Sequence, residues 1–403
     1  MPLNRRILHG VVLLLSSAIL PAQAQIGSLF SATPFENPTE ITKPTLTQQG
    51  GSLLLSDSPE EISSTSKLPG ACYRDTVSGL FRVFYHHQNN LDSADSVGVA
   101  ITNSSSSPEL LFSHGLGSGI SVYPNAAGQT ALANFLASHG STAFLTVLQP
   151  GQSYFSTEST PSGDTDSGFK EFIAISIGAV ADSAMLPVSL LEALDGKSLA
   201  DKESSQIEAS LPIDFASGKV TVTTLVYSGS KPASPAKLAI LPADTHIRGT
   251  FAHADRSGSF TIKASGGLQY LAIDTSAPGE LYSDDMPGEY ELGVDAVDKN
   301  AKVYNDGNYG VLYKLAVKIN NGANLLSTSP MGLLMRPTGG AGTFVFSLNG
   351  SVQQSPYVDY TSVWWFGEVK HKATSATVTL ETSLTGGSAG PQQLLFDPKF
   401  NGK

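Results

Sequence analysis

The sequence predicts an all-β protein built from two antiparallel β-sandwich domains with one or two short helices inserted. Three observations carry this. Charged residues make up only 15% of the chain, while Gly 39 and Pro 23 accompany abundant Ser and Thr, the composition of half-buried strands joined by turns. Apolar residues alternate with polar ones at a period of two in many short runs, which places one face of each strand in a core. Clusters of Asn, Ser, Gly and Pro separate those runs at turn spacing.

In chain order, residues 1–24 have the layout of a secretory signal peptide. Arg5 and Arg6 are a short positive region, Ile7 to Leu20 an apolar core, and Ala22-Gln23-Ala24 a small-residue cleavage site. The mature chain is expected to begin at Gln25. Residues 25–67 form a Pro/Thr/Ser-rich extended leader in which Pro34, Pro38, Pro44 and Pro59 exclude a continuous helix, with one short strand at Gly51 to Leu55. The first sandwich is expected over 68–242 and the second over 243–403. In the first, strands are predicted at Leu80–His86, Val97–Ile101, Phe172–Ile177 and Val220–Tyr227. Leu132, Phe135, Leu136 and His139 share one helical face, with Gly140 at the C-terminal cap; a second helical piece is expected at Ser189–Leu194. In the second sandwich the alternation recurs at Tyr290–Val294, Val311–Ile319, Phe344–Leu348 and Val378–Leu384.

Composition excludes several function classes. The formal net charge is -11, and no stretch collects the Lys and Arg that would displace counterions from a nucleic-acid backbone, so no nucleic-acid partner is expected. Cys72 is the sole cysteine, so an internal disulfide cannot form and the core must hold by packing. It lies in Leu68-Pro69-Gly70-Ala71-Cys72-Tyr73, with no nucleophile signature around it. No apolar run after the leader is long enough to span a bilayer.

The candidate chemistry is sparse. His86 and His87 are adjacent on a strand and point to opposite faces, so they cannot converge on one metal ion. The segment from Thr245 to Arg256 is denser: His246 and Arg248 share a strand face, and Asp255 and Arg256 stand side by side. This segment and Tyr304–Tyr313, which contains Asn308 and Tyr309, are expected to meet at one end of the second sandwich, as a binding surface or as a buried polar anchor. Trp364-Trp365-Phe366 offers an aromatic to a sugar ring, and strand alternation leaves at most one tryptophan facing outward, with Trp364 taken as the candidate. No cofactor is expected beyond weakly held calcium, for which Asp164-Thr165-Asp166-Ser167-Gly168 and the cluster Asp284, Asp285 and Glu289 supply oxygen ligands; the first lacks an acid twelve residues into its loop, where Ile175 stands. No H-E-x-x-H motif occurs, which weighs against a zinc-dependent hydrolase.

Leu68-Pro69-Gly70 followed by Tyr73-Arg74-Asp75, then Tyr85-His86-His87-Gln88-Asn89, Arg248-Gly249-Thr250-Phe251 through Ala254-Asp255-Arg256, and Gly307-Asn308-Tyr309-Gly310-Val311-Leu312-Tyr313 resemble the spaced landmarks of a family of secreted bacterial proteins, cyanobacterial ones among them, whose function is not assigned. Some members carry a domain resembling the copper amine oxidase N-terminal module. The resemblance spans roughly residues 68–396 and implies an all-β envelope or extracellular protein; it supplies no catalytic residues, and no oxidase-like module is apparent in this chain. The resulting expectation is an exported protein of the periplasm, cell surface or extracellular space with a noncatalytic binding or scaffolding role, its partner an envelope protein or glycan. The alternatives are a carbohydrate-binding module and, behind it, a secreted hydrolase.

Overall fold

The computed structural model describes residues 25–177, 215–274, 286–320, 330–370, 375–400 and 402. The signal-peptide segment and the expected helix at Ser189–Leu194 lie outside the described residues. The chain is an all-β sandwich protein with one α-helix, Pro124–Ser138, among the described residues.

The organising element is a 21-residue strand, Gly70–Asn90. Its first half pairs antiparallel with Lys219–Tyr227, and its second half with Thr165–Ile177. Between the halves, Gly79 adopts φ 66, a left-handed conformation open to glycine at little steric cost, and the strand passes there from one sheet to the other. Strands that change sheets at such a bend close the corner of a sandwich. Tyr73, Val77, Phe81, Val83 and Tyr85 then face one core together with Val97, Val99, Ile101, Leu111, Phe172, Val220 and Val222.

The second sandwich stacks two six-stranded sheets. Phe260, Leu315, Val317, Phe346 and Leu380 from one meet Leu271, Leu333, Trp364, Phe366 and Phe396 from the other, with Phe346 and Phe366 stacked at 4.5 Å. One central pairing is parallel, Asp255–Lys263 against Leu312–Asn320. The pairing is otherwise mostly antiparallel.

Two features differ from the expected layout. Residues 25–67 are extended as expected but also build into every sheet: Leu29–Ser31 pairs with Ser362–Val369, Thr47–Gln49 with Asp255–Lys263, and Ser52–Ser56 in parallel with Gly70–Asn90. The strand expected at Gly51 to Leu55 is present as Ser52–Ser56; the three-residue strands are too short to display a period, so they read as linker. The largest sheet also crosses the expected boundary at 242, because Arg248–Phe251 pairs with Ser52–Ser56 and continues to Leu292–Asp295 and Ala301–Tyr304. The apolar cluster of the second sandwich likewise continues through Leu53, Leu55, Phe84, Phe135 and Phe169.

The helix buries Ala127, Ala131, Leu132 and Phe135, and Gly140 follows it at φ 84. Its seat is the strand Glu109–Ser121, which lies outside the strands predicted from periodicity. Gly115, Gly117 and Gly119 fall on one face there; a Cβ on Gly117 would collide with the carbonyl oxygen of Ala131 and stand 2.7 Å from the Phe135 nitrogen. Three alternating glycines thus pave a flat track on which the helix backbone lies directly against the sheet.

Candidate functional site

The segments 246–256 and 304–313 do meet. Leu312 donates its N–H to the Ala254 carbonyl at 2.9 Å, and Asp255 stands opposite Leu312 in the parallel pair. Most of the candidate residues there are committed to buried pairs. Arg248 donates from Nε to Asp295 at 3.1 Å and from Nη1 to the Cys72 and Leu241 carbonyls. Arg256, 1% exposed, donates to the backbone oxygens of Glu289, His253 and Asp255 and to the Glu291 carboxylate. Asp255 accepts from Arg82 at 2.7 Å and Lys314 at 2.6 Å. Asn308, buried at φ 51, donates to the Tyr313 hydroxyl, and Tyr309 donates its hydroxyl proton to the Ser388 carbonyl. These five residues anchor the junction of the two sandwiches.

Trp364 is 0% exposed and Trp365 7%. They do point to opposite faces, but the outer face is covered by Phe30, Phe35 and Phe400, so neither tryptophan can stack on a ligand. His86 and His87 diverge as expected. His87 donates from Nδ1 to the Pro59 carbonyl, whereas His86 packs on Gly386 with neither ring nitrogen partnered among the described residues. Burial pushes their pKa values down to about 3 and about 4, so both are neutral. Asp166 is a buried strand residue accepting from Thr160. Asp284 and Asp285 lie outside the described residues, and Glu289 is buried, accepting the Tyr313 hydroxyl at 2.6 Å.

Of the candidates, His246 faces solvent. Its Nε2 lies 2.7 Å from Glu60 and its Nδ1 3.1 Å from Asp244, with 42% of its side chain exposed. Partial burial works against the imidazolium, but the Asp244 hydrogen bond, Glu60 and Asp57 outweigh it and raise the pKa. Behind it, burial and the neighbouring Glu60 push Asp57 up to about 8. His246 stands between two depressions. One, of about 320 Å³, is lined by Pro59, Glu60, Glu61 and Pro242. The other, of about 370 Å³, is lined by Ser58, Asp244, Arg248, Lys302, Tyr304 and Asp306. Tyr304 is 48% exposed and stacked on Tyr290 at 5.7 Å and 21°. This cleft combines an aromatic face with carboxylates, a lysine, a hydroxyl and an imidazole. In the sequence Tyr304 is only the start of the segment Tyr304–Tyr313; its stacking on Tyr290 depends on the hairpin of Leu292–Asp295 with Ala301–Tyr304.

A second polar centre lies apart from every candidate group drawn from the sequence. His114 Nδ1 lies 2.6 Å and His139 Nε2 3.4 Å from Glu171 Oε1. Glu171 Oε2 accepts from Arg82 at 2.5 Å, and Arg82 also bonds Asp255 and the Ala254 and Gly310 carbonyls. The Phe135 and Phe169 rings flank the Arg82 guanidinium at 5.1 and 5.4 Å. Burial opposes ionisation of Glu171, but Arg82 and the two histidines override it and hold the carboxyl well below the usual range. The members are 25 to 89 residues apart in sequence, so no spacing motif exists to find. Cys72 is buried, and burial pushes its thiol up to about 12, which removes it as a nucleophile.

No helix among the described residues is long and apolar enough to cross a membrane. No protein-family model matches the chain, and no curated protein matches it. Among solved structures, an oxalate decarboxylase described for its substrate binding mode and reaction specificity switch aligns at 12% identity over 94% of this chain and 79% of its own, with a TM-score of 0.14. Pumpkin seed globulin aligns at 10% over 89% and 86%, TM-score 0.13, and the 11S globulin procruciferin from Brassica napus at 10% over 90% and 86%, TM-score 0.12. Similarity at this level defines neither a shared topology nor a shared activity.

Proposed function

We propose that this is an exported, noncatalytic binding protein of the cell envelope or extracellular space, and that its ligand is a carbohydrate held in the cleft beside His246. The observation that carries the reading is Tyr304, an exposed ring braced from behind by Tyr290 and bordered by Asp244, Asp306, Lys302 and Ser58. A sugar presents a C–H face that packs on an aromatic ring and a rim of hydroxyls that need both donors and acceptors. The tying of Arg248, Asp255 and Arg256 into buried pairs supports a rigid scaffold around this cleft rather than a mobile catalytic one. Export is supported by the charged, apolar and small-residue layout of residues 1–24 and by the secreted family that the landmarks resemble.

The test is a glycan array with the mature chain, followed by calorimetry of the best ligand against Tyr304→Ala. Loss of at least about tenfold in affinity, ~1.4 kcal/mol, with an unchanged unfolding midpoint supports the proposal. Absence of binding to any glycan, or full affinity in Tyr304→Ala, overturns it.

A further inference from the structure

We infer that His114, His139 and Glu171 form a divalent metal site, with Zn²⁺ the ion that its two-nitrogen, one-oxygen donor set fits. The three donor atoms lie within 4.8 Å of one another. Tetrahedral zinc with bonds of about 2.0–2.1 Å requires donors roughly 3.4 Å apart. His139 Nε2 and Glu171 Oε1 already stand at 3.4 Å, and His114 Nδ1, at 2.6 Å from the same oxygen, must open by under about 1 Å.

The local structure aims these groups at one point. Glu171 pairs with Gly115 and Phe172 with Ser113, so His114 is the extra residue of a β-bulge, a device that redirects one side chain out of the ordinary alternation. Gly140 holds this residue by donating its N–H to the His114 carbonyl at 3.0 Å. Gly115 has no side chain, and a Cβ there would press within 2.7 Å of Phe135 and 3.2 Å of the His139 Cα; its absence lets the helix end bring His139 over the carboxylate. Arg82 fixes Glu171 through Oε2 and leaves Oε1 directed at the two imidazoles. An outer partner that orients a ligating carboxylate is the usual second layer of a metal site.

On binding, each imidazole gives up to solvent the proton that faces Glu171, on His114 Nδ1 and on His139 Nε2, and takes one up at its other ring nitrogen, so that both facing nitrogens become ligands. The imidazoles are 15% and 11% exposed, so solvent reaches both rings.

This inference is independent of the glycan cleft, and its test reads metal alone. The full mature chain, freed of metal with a chelator, is titrated calorimetrically with Zn²⁺. One equivalent should bind, with affinity falling at least about tenfold in His114→Ala and in His139→Ala and unchanged in His246→Ala. Because either alanine variant can perturb the helix seat, imidazole NMR of the wild-type chain is the second readout: one equivalent of Zn²⁺ should shift the His114 and His139 signals first. No saturable binding, affinity retained in both alanine variants, or first shifts at His246 or His253 would overturn the assignment.

Discussion

Arg82→Met tests the claim that one buried guanidinium joins the two sandwiches. Arg82 is 0% exposed and contacts Glu171 at 2.5 Å and Asp255 at 2.7 Å, from strands on either side of residue 242. At charge separations of about 4 Å and an effective dielectric of about 20, each pair contributes ~4 kcal/mol of attraction, against a desolvation cost of several kcal/mol per buried ion. Removing the cation alone leaves both carboxylates buried. Lys314 still reaches Asp255 and His114 still reaches Glu171, which limits the loss to the ~3–5 kcal/mol typical of a broken buried pair. The triple variant Arg82→Met, Glu171→Gln, Asp255→Asn removes all three charges and should recover at least half of that loss. Urea unfolding in the presence of chelator measures both. A single-variant loss under about 1 kcal/mol, or a triple variant no more stable than Arg82→Met, would show that the network is not electrostatically coupled.

Three further outcomes are expected. His86 has its folded pKa depressed from 6.5 to about 3 by burial, so its contribution is present above 6.5 and lost as pH falls; the stability of His86→Leu relative to wild type should therefore rise by about 1.4 kcal/mol per unit from pH 6.5 to 4.5, read by urea unfolding across pH, and parallel curves would refute it. The comparison must be a difference because Asp57 and Asp166, raised to about 8 and about 7, act with the opposite sign, losing stability as pH rises. Gly117→Ala should cost at least about 1–3 kcal/mol by thermal unfolding, since its Cβ meets helix backbone that cannot step aside; near-neutrality would mean the helix floats on its track. Cys72 should stay unreactive toward a thiol reagent until the chain unfolds, and melting with and without reductant should coincide.

The candidate site was legible in part. His246 was named for the polar density around it, and it does face solvent. The role of its neighbours was not legible, because Arg248, Asp255 and Arg256 look equally polar whether they face water or a buried carboxylate. The Tyr290–Tyr304 platform and the His114–His139–Glu171 centre stayed out of view for one reason: each needs a hairpin register, a bulge or a helix end to bring distant residues together.

By itself the sequence determined what local physics decides. Alternation at Phe81–Tyr85 and Val311–Ile319 specified strands, the spacing of Leu132, Phe135 and Leu136 with Gly140 specified a capped helix, and the period of two turned His86 from His87 and Trp364 from Trp365. Tertiary structure alone decided what lies over each face. It placed short leader strands in three sheets, covered Trp365 with Phe30 and Phe400, and paired Arg82 with acids 89 and 173 residues away. Periodicity states which side of a strand is apolar or polar; which partner covers that side depends on contacts remote in sequence, and those leave no periodic trace.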